Sequence, residues 1–289
     1  MPHHAFALAH TPPPPTRKVP MTPEILARHS LALTLAQEAG TLALAFFAAR
    51  DGLEVETKAD PQDVVSRADR EVEALIRARL AEQFPRDAIL GEEGGATAGA
   101  SGFVWVVDPI DGTMPFLSGL PHWCVALAVT DAQATVSAVT HAPVTGETFD
   151  AVLGGGARLN GAALRIDPGQ GLAGRMTALG GSHRTDAGEL GRVLSGLIQA
   201  GGMFYRNGSG ALMLASVAAG RLAGYYEPHM NAWDCLGGML MVTEAGGAVR
   251  PVDLAMMLAQ GGPVLAAAPQ ALVALEAVIA EAGRPAPAA

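Results

Sequence analysis

Cysteine and basic residues are scarce in this chain. Only two cysteines, Cys124 and Cys235, occur among its 289 residues. Two thiols are too few for a disulfide framework, so we expect a reducing, cytoplasmic location. Nineteen Lys and Arg residues stand against 28 Asp and Glu residues, which gives a formal net charge of −9. Because this charge repels nucleic acids and anionic membranes, we expect neither as a partner, and an anionic substrate would need cations to hold it.

Long apolar runs and several common enzyme motifs are also missing. The most apolar stretch, 31–49, is interrupted by polar residues, and it falls short of the roughly 20 apolar residues that a membrane helix needs. The motifs G-x-x-x-x-G-K-S/T, H-E-x-x-H and G-x-S-x-G do not occur, so three enzyme classes lose their usual marker. One G-x-G-x-x-G spelling at 169–174 follows a proline and precedes no clean helix pattern, so it does not indicate a nucleotide site.

The N-terminal segment differs in composition from the rest of the chain. The first 20 residues contain four consecutive prolines and lack a charged segment followed by an apolar one. We therefore expect a disordered Pro-rich extension over residues 1–20 and no signal peptide. At about 150 residues per domain, the length predicts two units. We divide the remaining chain into residues 21–155 and residues 156–289.

The first unit combines two helical patterns with a series of strand patterns. Thr22-Pro23-Glu24 is typical of a helix start, and apolar residues follow at helical spacing; a second helix is predicted from near Ser66 to before Pro85. Strands are predicted over 88–90, 103–107, 124–130, 134–141 and 148–153. Asn160-Gly161 predicts a hairpin turn. We expect an α+β half with a largely antiparallel sheet.

Strand and helix patterns alternate in the second unit. Strands are predicted over 176–179, 203–205, 223–226 and 264–267, and helices over 187–200, 211–219, 233–244 and after Pro269. Alternation of this kind is typical of an α/β architecture.

Two aspartates lie close together at the end of a buried-strand pattern. Residues 105–113 are Trp-Val-Val-Asp-Pro-Ile-Asp-Gly-Thr, so we expect Pro109 to end the strand and Gly112 to allow a tight turn that brings both carboxylates together. Carboxylates crowded in apolar surroundings repel each other. Mg²⁺, which prefers a few carboxylates together with water and phosphate oxygens, relieves that repulsion. An Asp-rich turn that caps local backbone groups is an equally good interpretation of this motif alone.

Three further acidic elements accompany this motif. Glu92 and Glu93 follow the strand pattern at 88–90, Asp234 follows Trp233 at the start of an apolar helix, and Asp69 lies at the start of the second helix. Each also fits a structural role, namely a solvated loop, an acidic residue at the positive end of a helix dipole, and a helix cap.

Taken together, these elements resemble the inositol monophosphatase family of Mg²⁺-dependent, lithium-sensitive phosphatases. The resemblance covers about residues 25 to 280, and the order Gly-Glu-Glu, Asp-Pro-Ile-Asp-Gly-Thr, Trp-Asp is highly specific. It implies a layered αβαβα sugar-phosphatase fold, with an α+β N-terminal half that carries the metal site and an α/β C-terminal half. It also implies a homodimer and inhibition by Li⁺.

The resemblance assigns metal and catalytic roles by position. Two or three Mg²⁺ ions, for which Mn²⁺ could substitute, would be held by Glu92, Asp108, Asp111, Asp234 and the main-chain carbonyl of Ile110. Thr113, with Glu92, would orient and deprotonate the attacking water, and Asp69 would accept a hydrogen bond from Thr113. Lys58 and Asp63 match a segment that would form a mobile active-site loop.

The substrate side is assigned in the same way. The residues implied to contact substrate are Asp111, Gly112, Thr113, Gly210, Glu227 and Asn231. Main-chain donors of Gly112 and Thr113 would hold phosphate oxygens, and Glu227 matches a ligand for sugar hydroxyls. Asn231 stands where animal members have His, which argues against strict inositol specificity. His229 is expected to be an exposed loop residue.

The implied activity is hydrolysis of a small polyol or sugar phosphate, with myo-inositol 1-phosphate as the first choice. Histidinol phosphate, fructose 1,6-bisphosphate and 3′-phosphoadenosine 5′-phosphate are alternative substrates within the same superfamily. A catalytically inactive, phosphatase-like binding protein is the alternative from a different functional class.

Overall fold

The computed structural model describes residues 21–53, 55–57 and 64–283. The extension predicted over residues 1–20 lies outside this described part, as do Lys58 and Asp63.

Two helices near the N-terminus begin where their caps predict. Helix α1 spans Pro23–Ala48, and the Thr22 hydroxyl accepts a hydrogen bond from the backbone of Ile25. Helix α2 spans Arg67–Gln83 and starts with a capping box between Ser66 and Asp69. By length and composition, α1 is the one described helix that could cross a membrane, but its alanine-rich inner face packs against the first sheet.

The first sheet has eight strands and is antiparallel except for one pair. Its order is β10-β9-β8-β7-β6-β5-β3-β4, and only β3 and β5 run parallel. The strands are β3 (Ala88–Gly91), β4 (Gly95–Thr97), β5 (Val104–Asp111), β6 (Cys124–Thr130), β7 (Thr135–Ala142), β8 (Glu147–Val152), β9 (Gly156–Leu159) and β10 (Ala162–Ala163). A separate antiparallel ribbon joins β1 (Val55–Thr57) to β2 (Val64–Ser66). The predicted largely antiparallel sheet is confirmed.

The second sheet is mixed and five-stranded, with the order β12-β11-β13-β15-β14. Its strands are β11 (Met176–Leu179), β12 (Met203–Tyr205), β13 (Gly224–Met230), β14 (Ala248–Val249) and β15 (Gly262–Ala267). The remaining helices are α3 (Thr113–Leu117), α4 (Ala187–Gln199), α5 (Gly210–Ala218), α6 (Ala232–Glu244), α7 (Leu254–Gln260) and α8 (Pro269–Ala282). Strands β11, β12 and β13 are parallel, whereas β14 and β15 add antiparallel pairs.

The elements stack in five layers, as the αβαβα prediction states. Helices α1 and α2 cover the outer face of the first sheet. Helices α5 and α6 lie between the two sheets, and α4 and α8 cover the far face of the second sheet. Helix α6 is buried at most of its positions, as expected for a helix with sheets on both sides. This arrangement places the N-termini of α5 and α6 next to the end of β5.

The end of β5 differs from the prediction. Pro109 does not end the strand, which continues to Asp111. The pairing with β6 changes register between Asp108 and Asp111, where Asp111 faces Cys124. The irregularity accommodates a residue that has no N–H to donate, because a bulge leaves one position out of the hydrogen-bond ladder.

The first sheet extends past the predicted division of the chain. The Asn160-Gly161 turn forms as predicted, with φ of 49° and 81°, and it joins β9 to β10. Both strands belong to the first sheet, so the change from one sheet to the other lies between Ala163 and Met176. The division into units at residue 155 stays a prediction.

A buried ion pair ties α1 to the first sheet. Two guanidinium nitrogens of Arg28 donate to the two carboxylate oxygens of Asp87, each over 2.7 Å, and Trp105 donates its indole N–H to the same carboxylate over 2.9 Å. The Arg28 guanidinium also lies 3.8 Å from the ring centroid of Phe103. Replacing only the arginine would therefore leave a buried carboxylate without its counter-charge.

We expect Arg28→Met to lower the free energy of unfolding by about 3–5 kcal/mol, the range for breaking a buried pair from one side. The methionine retains apolar contact with the aromatic ring, so the loss reports the missing charge. Arg67→Met is the matched control, because Arg67 and its partner Glu71 are both exposed and such a pair contributes about 0.2–1 kcal/mol. Urea unfolding measures both values, and equal losses would contradict the assignment.

Candidate metal centre and active site

Three carboxylates from distant parts of the chain meet at the end of β5. Asp108 and Asp111 come from β5 itself, and Asp234 comes from the first turn of α6. One oxygen of each lies within 4.8 Å of the others. Asp108 and Asp111 are buried and Asp234 is partly buried. An acidic cluster of this kind, built from oxygen ligands alone, fits a hard divalent cation such as Mg²⁺.

The proximity of these groups disturbs their protonation. Burial raises the pKa of Asp108 well above its usual range, and the charges of Glu92, Asp111 and Asp234 raise it further. Burial and then the charge of Asp111 raise the pKa of Asp234 to about 7. Ionised carboxylates therefore destabilise one another here, and a bound cation would stabilise their ionised forms.

Asp111 is held by the N-terminus of α5. Its carboxylate accepts hydrogen bonds from the Ser209 hydroxyl over 2.5 Å, from the Ala211 N–H over 2.7 Å and from the Gly210 N–H over 3.2 Å. These donors partly offset the burial that raises the pKa of Asp111. Gly210, predicted to contact substrate, thus uses its N–H to position Asp111. Ser209 was missed as a positioning residue, although a serine immediately before a helical pattern is a recognisable signal.

Gly112 lies between the two aspartates and Thr113 in the sequence, and its backbone conformation requires glycine. Its φ is +99°, and a Cβ at this position would lie 2.8 Å from the main-chain oxygen of His122. Two residues before Gly112, the main-chain N–H of Ile110 donates to Asp108 over 3.0 Å. The turn therefore brings the Ile110 carbonyl and the start of α3 to the same end of the strand as the carboxylates.

Thr113 and Asp69 form a hydrogen-bonded pair next to the cluster. The Thr113 hydroxyl donates to Asp69 over 3.1 Å and lies 3.3 Å from the Ile110 carbonyl oxygen. Burial raises the pKa of Asp69, while bonds from the Ser66 N–H and hydroxyl, at 2.8 and 2.6 Å, oppose that rise. Asp69 therefore caps α2 and accepts from Thr113 with the same carboxylate, so the two interpretations of its position are compatible.

Glu92 lines the same cleft as Asp111 and Asp234. Its loop is held by Glu73, a buried residue of α2 that sequence reasoning missed. Glu73 accepts bonds from the N–H groups of Glu93 and Gly94, both over 2.8 Å, and pairs with Arg77 over 2.6 Å. The available signal was its spacing four residues after Asp69, which places both on one face of the helix.

The predicted substrate residues Glu227 and Asn231 form one wall of the cleft that also contains the carboxylates. Glu227 and Asn231 line a cleft of about 390 Å³ together with Asp234. Burial raises the pKa of Glu227 to about 7, although the buried Tyr225 hydroxyl donates to it. A Cβ at Gly180 would overlap this carboxylate, so the wall requires glycine there.

Two residues near α6 are more constrained than the sequence indicates. The Asn231 amide donates to Asp234 over 3.3 Å, and the main-chain N–H of Asn231 donates over 3.1 Å. His229 was expected to be an exposed loop residue, but it lies on β13, is only partly exposed and lines the cleft. Its Nε2 lies 3.0 Å from the Gln260 carbonyl oxygen. The correction arises because α7, which ends at Gln260, was not predicted.

The shifted pKa of Asp234 predicts how metal-free stability depends on pH. The unfolded chain releases this proton near pH 4 and the folded chain near pH 7, so folding binds a proton between those values. Stability from this group is therefore lost as pH rises through that window. We expect the melting temperature without divalent cations to be lower at about pH 7.5 than at about pH 5, and added Mg²⁺ to restore it at the higher pH.

Asp234→Asn should weaken both effects, whereas Asp51→Asn, an exposed aspartate, should leave both unchanged. Thermal melting with and without Mg²⁺ makes the measurement. If Mg²⁺ did not change the melting temperature of the wild-type protein at either pH value, this result would argue against cation binding at this cluster.

Comparisons with known proteins agree with this geometry. The model of the inositol monophosphatase family matches residues 28–283. The chain is 35% identical to the Nus factor SuhB of Haemophilus influenzae over 82% of this chain and 90% of that protein, and 40% identical to an inositol-1-monophosphatase of Rhizobium meliloti over 65% and 71%.

Solved structures show the same fold. The extragenic suppressor protein SuhB of Bartonella henselae superposes with a TM-score of 0.82 at 31% identity, covering 88% of this chain and 98% of that one. The IMPase of Thermotoga maritima gives a TM-score of 0.76 at 27% identity, with 89% and 99% coverage. With its Asp108, Asp111 and Asp234 cluster in this fold, the chain belongs to the inositol monophosphatase family.

Proposed function

We propose that this protein is a Mg²⁺-dependent phosphomonoesterase that hydrolyses a small polyol or sugar phosphate, with myo-inositol 1-phosphate as the first choice. The observation that carries the proposal is the convergence of Asp108, Asp111 and Asp234 within 4.8 Å. The cleft beside them is also lined by the polar residues Glu227 and Asn231. Family membership supports the same activity. A cytoplasmic location, expected from the two buried free thiols, is part of the proposal.

The donor set of the chain fits Mg²⁺, with Mn²⁺ as a substitute, because the clustered side-chain ligands are carboxylate oxygens. Two or three ions would be held by Glu92, Asp108, Asp111, Asp234 and the main-chain carbonyl of Ile110. When bound, such ions neutralise phosphate charge and lower the pKa of water. An acidic protein can then accept an anionic substrate without a basic pocket.

The residues of the chain itself orient the water and the phosphate. Because the Thr113 hydroxyl donates a hydrogen bond to Asp69, the lone pairs of its oxygen are left to accept a hydrogen bond from the attacking water. Glu92, across the cleft, would take up the proton of that water. The N–H groups of Gly112 and Thr113 would donate to phosphate oxygens. This arrangement supplies positioning and charge stabilisation, which phosphoryl transfer chiefly requires.

The wall of the cleft formed by Glu227, Asn231 and Gly210 would bind the organic part of the substrate. Glu227 is positioned by Tyr225 and would accept hydrogen bonds from substrate hydroxyls, while Asn231 and the main chain around Gly210 would complete the wall. Histidinol phosphate, fructose 1,6-bisphosphate and 3′-phosphoadenosine 5′-phosphate remain alternative substrates. A panel of these four esters, with released phosphate measured at saturating Mg²⁺, compares them directly.

We expect Asp108→Asn to abolish Mg²⁺-dependent phosphate release, because it removes a central carboxylate of the cluster. Thr113→Ala should lower kcat by about 10²–10⁴-fold, the usual contribution of a positioned proton-transfer group. Asp51→Asn is the matched control and should retain activity. We also expect inhibition by Li⁺. Full hydrolysis by a folded Asp108→Asn protein would contradict the assigned site.

A second candidate function is binding without turnover. Several relatives of about 35% identity carry the name Nus factor SuhB, and under this alternative the chain is a catalytically inactive, phosphatase-like binding protein. The net charge of −9 still argues against direct contact with RNA. Absence of phosphate release from the entire panel in both Mg²⁺ and Mn²⁺, with the protein folded, would favour this second function.

We further propose that the protein is a homodimer that forms through the edge of the second sheet. Strand β12 is an edge strand, and Met203, Phe204 and the neighbouring Met176 are 51%, 46% and 41% exposed. Large apolar side chains on an unpaired edge are typical of an interface.

We expect Phe204→Asp to convert the dimer to a monomer, because it places a charge in the apolar contact. Val273→Asp on α8 is the matched control, since Val273 is equally apolar and 61% exposed. Size-exclusion chromatography with light scattering gives the mass of each protein. A wild-type monomer, or a dimer that survives Phe204→Asp, would contradict this interface.

A further inference from the structure

Arg184 occupies a defined place at the rim of the substrate cleft. It lies in the loop 180–186 between β11 and α4. One guanidinium nitrogen, Nη1, donates to the Asn231 side-chain oxygen over 2.9 Å and to Nδ1 of His229 over 3.2 Å. Because the Gln260 carbonyl can only accept, Nε2 of His229 carries the ring proton, and Nδ1 is left to accept from Arg184. The guanidinium is thus fixed by two neutral partners.

No carboxylate accepts a hydrogen bond from Arg184 within the described part of the chain. Arginines such as Arg28, Arg77 and Arg221 pair with carboxylates, whereas the hydrogen-bond partners of Arg184 are an amide and an imidazole. Its Nε and Nη2 groups make no hydrogen bond to any described residue. An oriented guanidinium with free donors in a cleft is a geometry that binds oxyanions through two parallel hydrogen bonds.

The space around Arg184 is larger than the catalytic cleft alone. A second cleft of about 410 Å³ is lined by Arg184, His229, Asn231 and Trp233, and its other wall is residues 257–261. The first four residues also line the cleft that contains the carboxylates. Arg184 therefore stands between two adjoining spaces, with the metal-binding carboxylates on one side only.

We propose that Arg184 is a specificity-determining residue that binds a second anionic group of the substrate, other than the scissile phosphate. The proposal rests on the proposed phosphatase function, and it favours phosphate esters with a further phosphate or carboxylate over myo-inositol 1-phosphate. Bound cations at the carboxylate cluster would neutralise the scissile phosphate only. A second anionic group in this acidic protein needs its own counter-charge, and Arg184 supplies it at the rim of the cleft.

A purely structural role for Arg184 has a different signature. Asn231 bridges Arg184 to Asp234, so an arginine that only positioned Asn231 would affect hydrolysis of every phosphate ester alike. An arginine that binds a second anion affects only substrates that carry one. The ratio of kcat/KM values for a matched pair of substrates separates the two roles.

The experiment uses two matched pairs: fructose 1-phosphate with fructose 1,6-bisphosphate, and glucose 6-phosphate with 6-phosphogluconate. In the wild-type protein, the member with the extra anionic group should have the higher kcat/KM in at least one pair. Arg184→Gln should lower that ratio by about 10- to 100-fold, mainly through KM, as expected for loss of charge-assisted hydrogen bonds. Arg184→Lys should recover part of the ratio, since it keeps the charge but loses the planar fork.

Arg175→Gln is the control for net charge, because Arg175 is exposed and lies outside both clefts. It should leave the ratio unchanged. A response in the first pair only identifies the second group as a phosphate, and a response in the second pair only identifies it as a carboxylate. No preference in the wild-type protein, or an equal loss for both members of each pair in Arg184→Gln, would overturn the proposal.

Failure of the proposed function gives a separate result. If the wild-type protein hydrolysed none of these esters, calorimetric titration with fructose 1-phosphate and fructose 1,6-bisphosphate in Mg²⁺ would still test Arg184. Tighter binding of the bisphosphate that is lost in Arg184→Gln would support the anion site. Equal affinities within this pair, and within the pair of glucose 6-phosphate and 6-phosphogluconate titrated in the same way, would refute it.

Discussion

Electrostatic repulsion among buried carboxylates is the constraint to which the rest of the site is fitted. Burial raises the pKa of Asp108, Asp111 and Asp234, and the charges of neighbouring carboxylates raise the pKa of Asp108 and Asp234 further. The fold tolerates them because donors are aimed at them, including the Ser209 hydroxyl on Asp111 and the Asn231 amide on Asp234. These bonds only partly offset the cost of burying ionised carboxylates, so a bound cation would stabilise the cluster further. The proposed phosphatase function requires such cation binding.

The layered architecture provides those donors. Helices α5 and α6 lie between the sheets, and the N-terminus of each points toward the end of β5. The positive ends of helix dipoles favour carboxylates nearby, so the middle layer stabilises negative charge without any basic side chain. Glu73 on α2 holds the loop of Glu92 in a different way, because its carboxylate accepts hydrogen bonds from the N–H groups of Glu93 and Gly94. Arg184 and its neutral partners then complete the rim on which substrate selection depends.

Local signals predicted the long elements well. Thr22 and Ser66 cap α1 and α2 as expected, and Asn160-Gly161 forms its turn, because caps and tight turns depend on residues a few positions apart. Short elements such as β4, α3, β14 and α7 were missed, since two to seven residues give too little periodicity. Pro109 was wrongly expected to end β5, because a bulge against β6 is a property of the paired strand rather than of the proline.

The sequence by itself determined the types of group available for chemistry: a chain rich in carboxylates, poor in cysteine, with Gly-Glu-Glu, Asp-Pro-Ile-Asp-Gly-Thr and Trp-Asp in a specific order. Only the tertiary structure decided that Asp234 meets Asp108 and Asp111, that Glu73 holds the Glu92 loop, and that Arg184 stands at the cleft with two neutral partners. The reason is physical: side-chain type and local turn chemistry are encoded within a few residues, whereas these contacts join residues 20 to 126 positions apart, and only packing of the layers brings them together.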